Sequence, residues 1–446
     1  MSLTFRGKAG TLQDVRRVCS LGPLDTAEEL EQYWVNTDAA RSPGFSLRRR
    51  IKTFLEDSSD CRILVYGHGG SGKSTELAKL VRELGSGYFV VSFSIRDEMN
   101  LTAVQAEDIL LVLIERILRE IQKIEISISD AVLKPVYDYF SSIKRQTTKG
   151  HEANAEVEAQ ASIGTGYFAS LLKLLVSVKG EIKHSVHSEE TVVAHLRKRP
   201  ADLLLQINIV LNAVRQALPK ERRLLLIVED LDKLDIALSK RIFIENVNVL
   251  AGISADIIYT VPIFTFHSPD ARILRDNFKD CGLAMIKILN HDGTRAEGFE
   301  VVRRIIHCRV EETVIAPLAV DLLIEKTGGV LQHVFEVLRN AALLDDAMVP
   351  LTRKNIEAAL QAKRNEFWSE ITWPIPDSAR RSETELYDRL EQYAKKQLLG
   401  QKNLPLVDEV NQILLRSCAL VEYNGERWYG VHPLVIENLR ALGRIK

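Results

Sequence analysis

The sequence predicts an α/β fold: a parallel β-sheet covered by helices on both faces, interrupted by a β insertion and followed by a helical lid and a C-terminal winged-helix-like domain. Three observations lead there. Apolar runs that barely alternate, at Ile63 to Tyr66, Tyr88 to Ile95, Leu224 to Val228 and Asp256 to Phe264, fit strands buried on both faces. Segments with apolar residues at three-and-four spacing separate them, as amphipathic helices do. The C-terminal stretch reads helix, helix, hairpin, helix.

Composition narrows the function classes. The chain has 446 residues, enough for several domains, with 59 Lys and Arg against 60 Asp and Glu. A formal charge of -1 gives no global field toward nucleic acid or anionic membrane, so any such binding is local. Cys19, Cys61, Cys281, Cys308 and Cys418 are far apart, with no CxxC pair, which fits a reduced, cytoplasmic setting. The most apolar segment, residues 163 to 178, contains Lys173 and turn residues, so no membrane span is expected.

Residues 1 to 44 follow no clear period and are broken at Gly22-Pro23 and Ser42-Pro43-Gly44. A short helix from Leu47 to Leu55 carries Arg48, Arg49, Arg50 and Lys52, which read as a solvated face. The first strand then enters Gly67-His68-Gly69-Gly70-Ser71-Gly72-Lys73-Ser74-Thr75 and a helical pattern. This is GxxxxGK[ST], in the strand-to-helix context that a phosphate loop requires. Gly67, Gly69, Gly70 and Gly72 let the backbone turn so that N–H groups, those of Ser71 and Thr75 included, face phosphate oxygens with the positive helix end behind them. Lys73 is expected to reach the β- and γ-phosphates, and the Ser74 hydroxyl to ligate Mg²⁺.

Such a loop needs an acidic site at the end of a neighbouring buried strand. Leu224 to Val228 run straight into Glu229 and Asp230, with Asp232 two residues further on. Glu229 and Asp230 divide the tasks of holding Mg²⁺ and orienting the attacking water, in either order.

With both motifs in place the chain resembles AAA+/STAND-type P-loop ATPases, whose acidic motif reads Asp-Asp-Leu-Asp or similar where this chain has Glu229-Asp230-Leu231-Asp232. GHGGSGKSTEL, the strand YFVVSF and the helix EDILLVLIERI are similar to stand-alone bacterial ATPases found with antiphage defence effectors. The likeness covers most of residues 45 to 446. It implies ATP and Mg²⁺ as ligands, catalysis by Lys73, Glu229 and Asp230, and homo-oligomeric assembly. It also implies control of a separate effector protein, a nuclease or other toxin.

Further along, Thr102 to Ile124 reads as a long amphipathic helix. Residues 153 to 163 and 176 to 187 alternate as two strands of a β insertion, with a short helix from Phe168 to Leu175 between them and a helix over 200 to 218 after it. The insertion is the segment expected to touch a partner. By the same resemblance, Thr260 stands where a γ-phosphate sensor is placed, and Arg272 or Arg275 where an arginine finger is presented; ion pairs with Asp276 or Asp280 account for the arginines equally well. Residues 294 to 365 read as lid helices. Gln332 stands where the family places a second-sensor Arg, with Arg339 two turns along, and this departure points to a slow switch.

The expected division is an N-terminal segment at 1 to 44, an ATPase core at 45 to 290 with the insertion at about 146 to 199, a lid at 291 to 365 and the winged-helix-like domain at 366 to 446. From Arg381 to Lys446 there are ten Lys and Arg against nine Asp and Glu, a poor balance for gripping DNA, so the wing reads as a structural or protein contact. No second catalytic motif is present. The rival reading is a DNA-binding AAA+ ATPase of replication-initiator or transposition-regulator type. A small-molecule or nucleotide kinase is disfavoured by the size of the lid and wing.

Overall fold

The computed structural model describes residues 7–19, 22–147, 166–184, 199–290, 292–372, 382–404, 406–423 and 428–446. At its centre lie five strands: β1 (Arg62–Gly67), β2 (Tyr88–Ser94), β3 (Arg223–Glu229), β4 (Asp256–Pro262) and β5 (Lys279–Gly282). They form one parallel sheet in the order β2-β3-β4-β1-β5. Strand residues alternate between two apolar layers, which is why the sequence runs apolar without a period. Leu64, Leu224, Leu226 and Val228 join the layer under the helix Ala106–Lys123. Ile63, Val65, Leu225 and Ile227 join the layer under the helices Leu47–Asp57 and Lys73–Leu84. The α/β class and its parallel sheet are therefore as the sequence indicates.

The insertion differs from expectation. Residues 153 to 163 lie outside the described residues, but Gly166–His184 is one continuous helix, so residues 176 to 184 are helical and not a strand. Leu171, Leu174, Leu175 and Val178 supply a buried stripe at three-and-four spacing, against the helices Ala106–Lys123 and Asp130–Thr147. Lys179 adds ion pairs to Glu98 at 2.7 Å and Glu115 at 3.1 Å.

The N-terminal segment also differs. It forms the helices Leu12–Val18, Ala27–Tyr33 and Asp38–Arg41, and its Val15, Val18, Leu30 and Tyr33 pack into the core of the lid. Ala9 pairs with Val310 beside it.

The lid comprises the helices Glu297–Arg309, Pro317–Thr327, Leu331–Ala341 and Arg353–Thr372, the last running through position 365. The wing comprises the helices Glu383–Leu398, Glu409–Arg416 and Pro433–Ala441 with an antiparallel pair, β6 (Leu420–Tyr423) and β7 (Trp428–Val431). Residues 424 to 427, which join β6 to β7, lie outside the described residues. Lid and wing share one apolar core, in which Phe299, Phe367, Leu390 and Tyr429 all take part, so they form a single body over the carboxyl edge of the sheet. Among the described residues no helix is long and apolar enough to cross a membrane.

Candidate functional site

Strand order places β4 between β1 and β3, so the phosphate loop after β1 and the acids ending β3 open on the same carboxyl edge of the sheet. Gly70 and Gly72 have φ of +70° and +96°, a region that side-chain-bearing residues rarely adopt. The helix Lys73–Leu84 starts at Gly72 with no side chain capping it, which leaves its first N–H groups facing into the loop. The Ser71 hydroxyl is buried there without a hydrogen-bond partner. Glycine dihedrals, an uncapped helix start and an orphaned hydroxyl form a cradle suited to an anion.

Lys73 is almost fully buried. Its Nζ donates to the Gly67 and His68 carbonyls at 3.0 and 2.9 Å and pairs with Asp232 Oδ2 at 2.8 Å. Burial, the largest single influence, raises the Asp232 pKa, but the Lys73 and Lys233 charges together with the Lys73 hydrogen bond outweigh it and hold the carboxyl below its ordinary range. Thr260, fully buried on β4, faces Asp232 and assists, while its own hydroxyl makes no well-formed hydrogen bond.

The other two acids point elsewhere. Glu229 lies beside the Ser74 hydroxyl and accepts from Ser92 Oγ at 3.3 Å; burial raises its pKa to about 7 against the Ser74 hydrogen bond, and the Asp230 charge adds to the rise. Asp230 sits in the left-handed region at φ 64° and accepts from Ser94 Oγ at 2.6 Å. Three acids within four residues thus face three directions, because the chain leaves β3 through a left-handed residue into a tight 3₁₀ turn.

Above the loop stands the lid. A methyl group placed on Gly70 lies 2.3 Å from Gln332 Cβ and 2.6 Å from its Oε1, so Gln332 rests directly on the glycine turn. Arg339, on the same helix, is not at the loop; its charge acts on the buried Cys19 thiol. Arg272 is nine-tenths exposed, 3.7 Å from Asp276. Arg275 donates to the Phe266 carbonyl at 3.5 Å and lies over the Phe266 ring.

Several site residues carry no sequence signal of their own. Arg41 is fully buried: its guanidinium donates to Thr37 Oγ1 at 2.8 Å, the Ser71 carbonyl at 2.6 Å and the Ala284 carbonyl at 2.5 Å. Burial lowers its pKa to about 10, with Glu76 and Asp38 opposing. Arg48 is buried as well, correcting its place on a solvated face; it pairs with Glu76 at 2.8 Å and with Glu83. Glu76 also accepts from Trp34 Nε1 at 3.1 Å, and Thr75 accepts from the Leu24 N–H at 3.2 Å, so the N-terminal segment is tied to the helix after the loop. A cavity of about 460 Å³ opens beside Gly67, lined by Arg41, Phe45, Arg50, Tyr66, Leu283 and Glu422.

The loop histidine makes the longest-range link. His68 Nε2 accepts the backbone N–H of Glu422 in β6 at 2.8 Å, and its Nδ1 faces Cys418 Sγ at 3.8 Å. The Glu422 carboxylate meets His267 Nε2 at 2.6 Å, and Tyr429 OH meets His267 Nδ1 at 2.9 Å. Burial lowers the His68 pKa to about 4, with Lys73 and His267 adding and Glu422 opposing, so the ring is neutral at physiological pH. The Met285 N–H donates to the Glu422 carbonyl at 3.1 Å, and Tyr423 OH donates to the Gly328 carbonyl at 2.9 Å. The wing is thereby clipped to the phosphate loop, to the end of the sheet and to the lid at once.

No protein-family model matches the chain, and no curated protein matches it. Solved structures do. A Walker-type ATPase of Pyrococcus abyssi is similar at 13% identity and a TM-score of 0.42, over 95% of this chain and 99% of that one. The ORC1 protein of Aeropyrum pernix, in a structure with DNA, is similar at 12% identity and a TM-score of 0.37, over 95% of each chain. Cdc6p of Pyrobaculum aerophilum is similar at 12% identity and a TM-score of 0.31, over 92% of this chain and 97% of that one.

Proposed function

We propose that the protein is an ATP-binding and hydrolysing switch whose phosphate loop is read by the lid and wing as one body. The observation that carries this is the wiring of a single loop. Lys73 engages the acid after β3, Gln332 rests on Gly70, and His68 receives the β6 backbone. A ligand that moves Lys73 or the glycine turn has to move groups that hold the lid and the wing.

The residues fit Mg²⁺ and a nucleotide. Mg²⁺ takes one or two protein oxygens and completes its shell with phosphate and water; we assign Ser74 and Glu229 to it, since they already touch. When bound, the metal neutralises charge that builds on the transferred phosphoryl group. Lys73 binds the β- and γ-phosphates, leaving Asp232, and the N–H groups from Gly67 to Thr75 hold the remaining phosphate oxygens. Asp230, beside the open end of β2 and β3, orients the attacking water. Thr260 reports the γ-phosphate through Asp232. The expected domain limits, and the arginine finger at Arg272 or Arg275, belong to the same reading.

The partner is a separate effector protein, of nuclease or other toxin type, in bacterial antiphage defence, and the support for it is the sequence resemblance. The alternative of a wing that grips DNA is less favoured: β6 and β7 are buried throughout and turned toward the core. The test is phosphate release from Mg²⁺-ATP by the full chain. Lys73→Ala is expected to lose both nucleotide binding and turnover, and turnover equal to the parent places hydrolysis elsewhere.

A further inference from the structure

Arg41 ends the short helix Asp38–Arg41 of the N-terminal segment, and its side chain runs inward to the phosphate loop, leaving the residue 4% exposed. The backbone there is held twice: the Arg41 N–H donates to the Thr37 carbonyl, and the Lys287 N–H, beyond β5, donates to the Ala40 carbonyl, both at 3.1 Å. From this fixed base the guanidinium joins three parts of the chain. Nε donates to the Thr37 hydroxyl, Nη2 to the Ser71 carbonyl in the loop, and Nη1 to the Ala284 carbonyl just after β5.

All three partners are neutral oxygens, and Arg41 makes no ion pair among the described residues. The two acids whose charges reach it, Glu76 and Asp38, are both held by Arg48, at 2.8 and 3.4 Å. Burying a cation without a carboxylate costs stability, which points to a task in the loop.

Peptide geometry supplies that task. A trans peptide carries its C=O and the following N–H on opposite sides. With the Ser71 carbonyl drawn onto Nη2 at 2.6 Å, the Gly72 N–H points away from Arg41. Turned the other way, the same peptide would set a carbonyl oxygen against phosphate oxygens. Gly72, at φ +96°, permits the turn, and Arg41 Nη2 stands 3.6 Å from where its Cβ would be. The Ser71 hydroxyl, buried without a partner, belongs to the residue that is held. The charge acts with the geometry: burial lowers the Arg41 pKa only to about 10, so the guanidinium is protonated at physiological pH and little screened.

From this bridge we infer that Arg41 is a positioning residue of the phosphate loop, holding the Ser71 carbonyl out and the Gly72 N–H in so that a triphosphate meets a preformed cradle. The inference deepens the nucleotide reading of the loop and rests on it.

The test is calorimetric titration of the full chain with inorganic triphosphate and, separately, with a non-hydrolysable ATP analogue, both with Mg²⁺. Arg41→Ala is expected to bind each about 10- to 100-fold more weakly. Arg41 borders the cavity beside Gly67, so millimolar guanidinium can enter the vacated space; it is expected to restore most of the loss, and potassium at equal ionic strength none. Arg41→Lys keeps the charge but not the fork that reaches three oxygens, and is expected to lose about tenfold. A purely structural role would lower the urea midpoint of both variants while the folded chains bind as the parent does. Should Arg41→Ala not fold, Arg41→Lys decides: affinity equal to the parent overturns the inference. A loss in folded Arg41→Ala that guanidinium leaves unchanged overturns it as well. A parent that binds neither ligand removes the nucleotide reading itself, whereas a parent that binds both, with variants that match it, removes only the role of Arg41.

Discussion

Replacing Asp232 with Ala removes the carboxylate that Lys73 grips at 2.8 Å, with both side chains buried. Deleting one member of a buried ion pair costs about 3–5 kcal/mol, because the survivor is left charged and uncompensated. Lys73 keeps its bonds to the Gly67 and His68 carbonyls, so the lower end, about 3 kcal/mol, is expected in urea unfolding without nucleotide. Nucleotide binding is expected to change in the opposite direction. A triphosphate that draws Lys73 onto itself has to part this pair in the parent chain, and in the variant it does not. Recovering half of the cost in binding tightens the affinity about tenfold, and recovering all of it about 100-fold. The variant also removes a negative charge from beside the phosphates, which acts in the same direction. Calorimetric titration with Mg²⁺ and a non-hydrolysable ATP analogue reads the difference. Weaker binding in Asp232→Ala, together with lost stability, would refute the reasoning and make Asp232 a ligand of the nucleotide or its metal.

Two further predictions concern Glu229 and His68. Folded Glu229 holds its proton up to about pH 7, where an ordinary glutamate loses it near 4.5; its burial therefore costs stability that sets in as pH rises between these values and is complete above 7. Glu229→Gln is expected to stabilise the nucleotide-free chain at pH 8, by up to about 3 kcal/mol in urea unfolding. In the parent, the Mg²⁺ concentration for half-maximal nucleotide binding is expected to rise about tenfold per unit below pH 7, a dependence absent in Glu229→Gln; an equal dependence in both removes Glu229 from the metal site. His68→Phe keeps the ring volume but orphans the Glu422 N–H, expected to cost about 1–3 kcal/mol and to raise hydrogen exchange across Leu420–Tyr423 without nucleotide. Unchanged exchange there means that the loop does not hold the wing.

What the sequence made legible was local. The phosphate loop follows from glycines at fixed offsets between an apolar run and a helix. The β3 acids follow from five apolar residues that end in carboxylates. Which acid faces Lys73 was not legible, since the direction of three neighbouring carboxylates depends on the left-handed turn at Asp230. The stretch after Leu175 satisfied two periods at once: Val176 and Val178 alternate, while Leu171, Leu174, Leu175 and Val178 form a helical stripe. Tertiary contact with two long helices, together with the Lys179 ion pairs, settles it as a helix. Arg41 and Glu422 reach the loop from 30 and 354 residues away, and no local pattern encodes such contacts. Arg48 looked solvated because its three acidic neighbours, Asp38, Glu76 and Glu83, all lie on other helices.

The central claim is that occupancy of the phosphate loop is felt by the wing. Hydrogen exchange of β6, with and without saturating Mg²⁺-ATP, in the parent and in Lys73→Ala, tests it most directly. The account predicts that ATP changes the protection of Leu420–Tyr423 in the parent and leaves Lys73→Ala unaffected. Protection of β6 that stays the same in a parent chain shown to have bound ATP would contradict it.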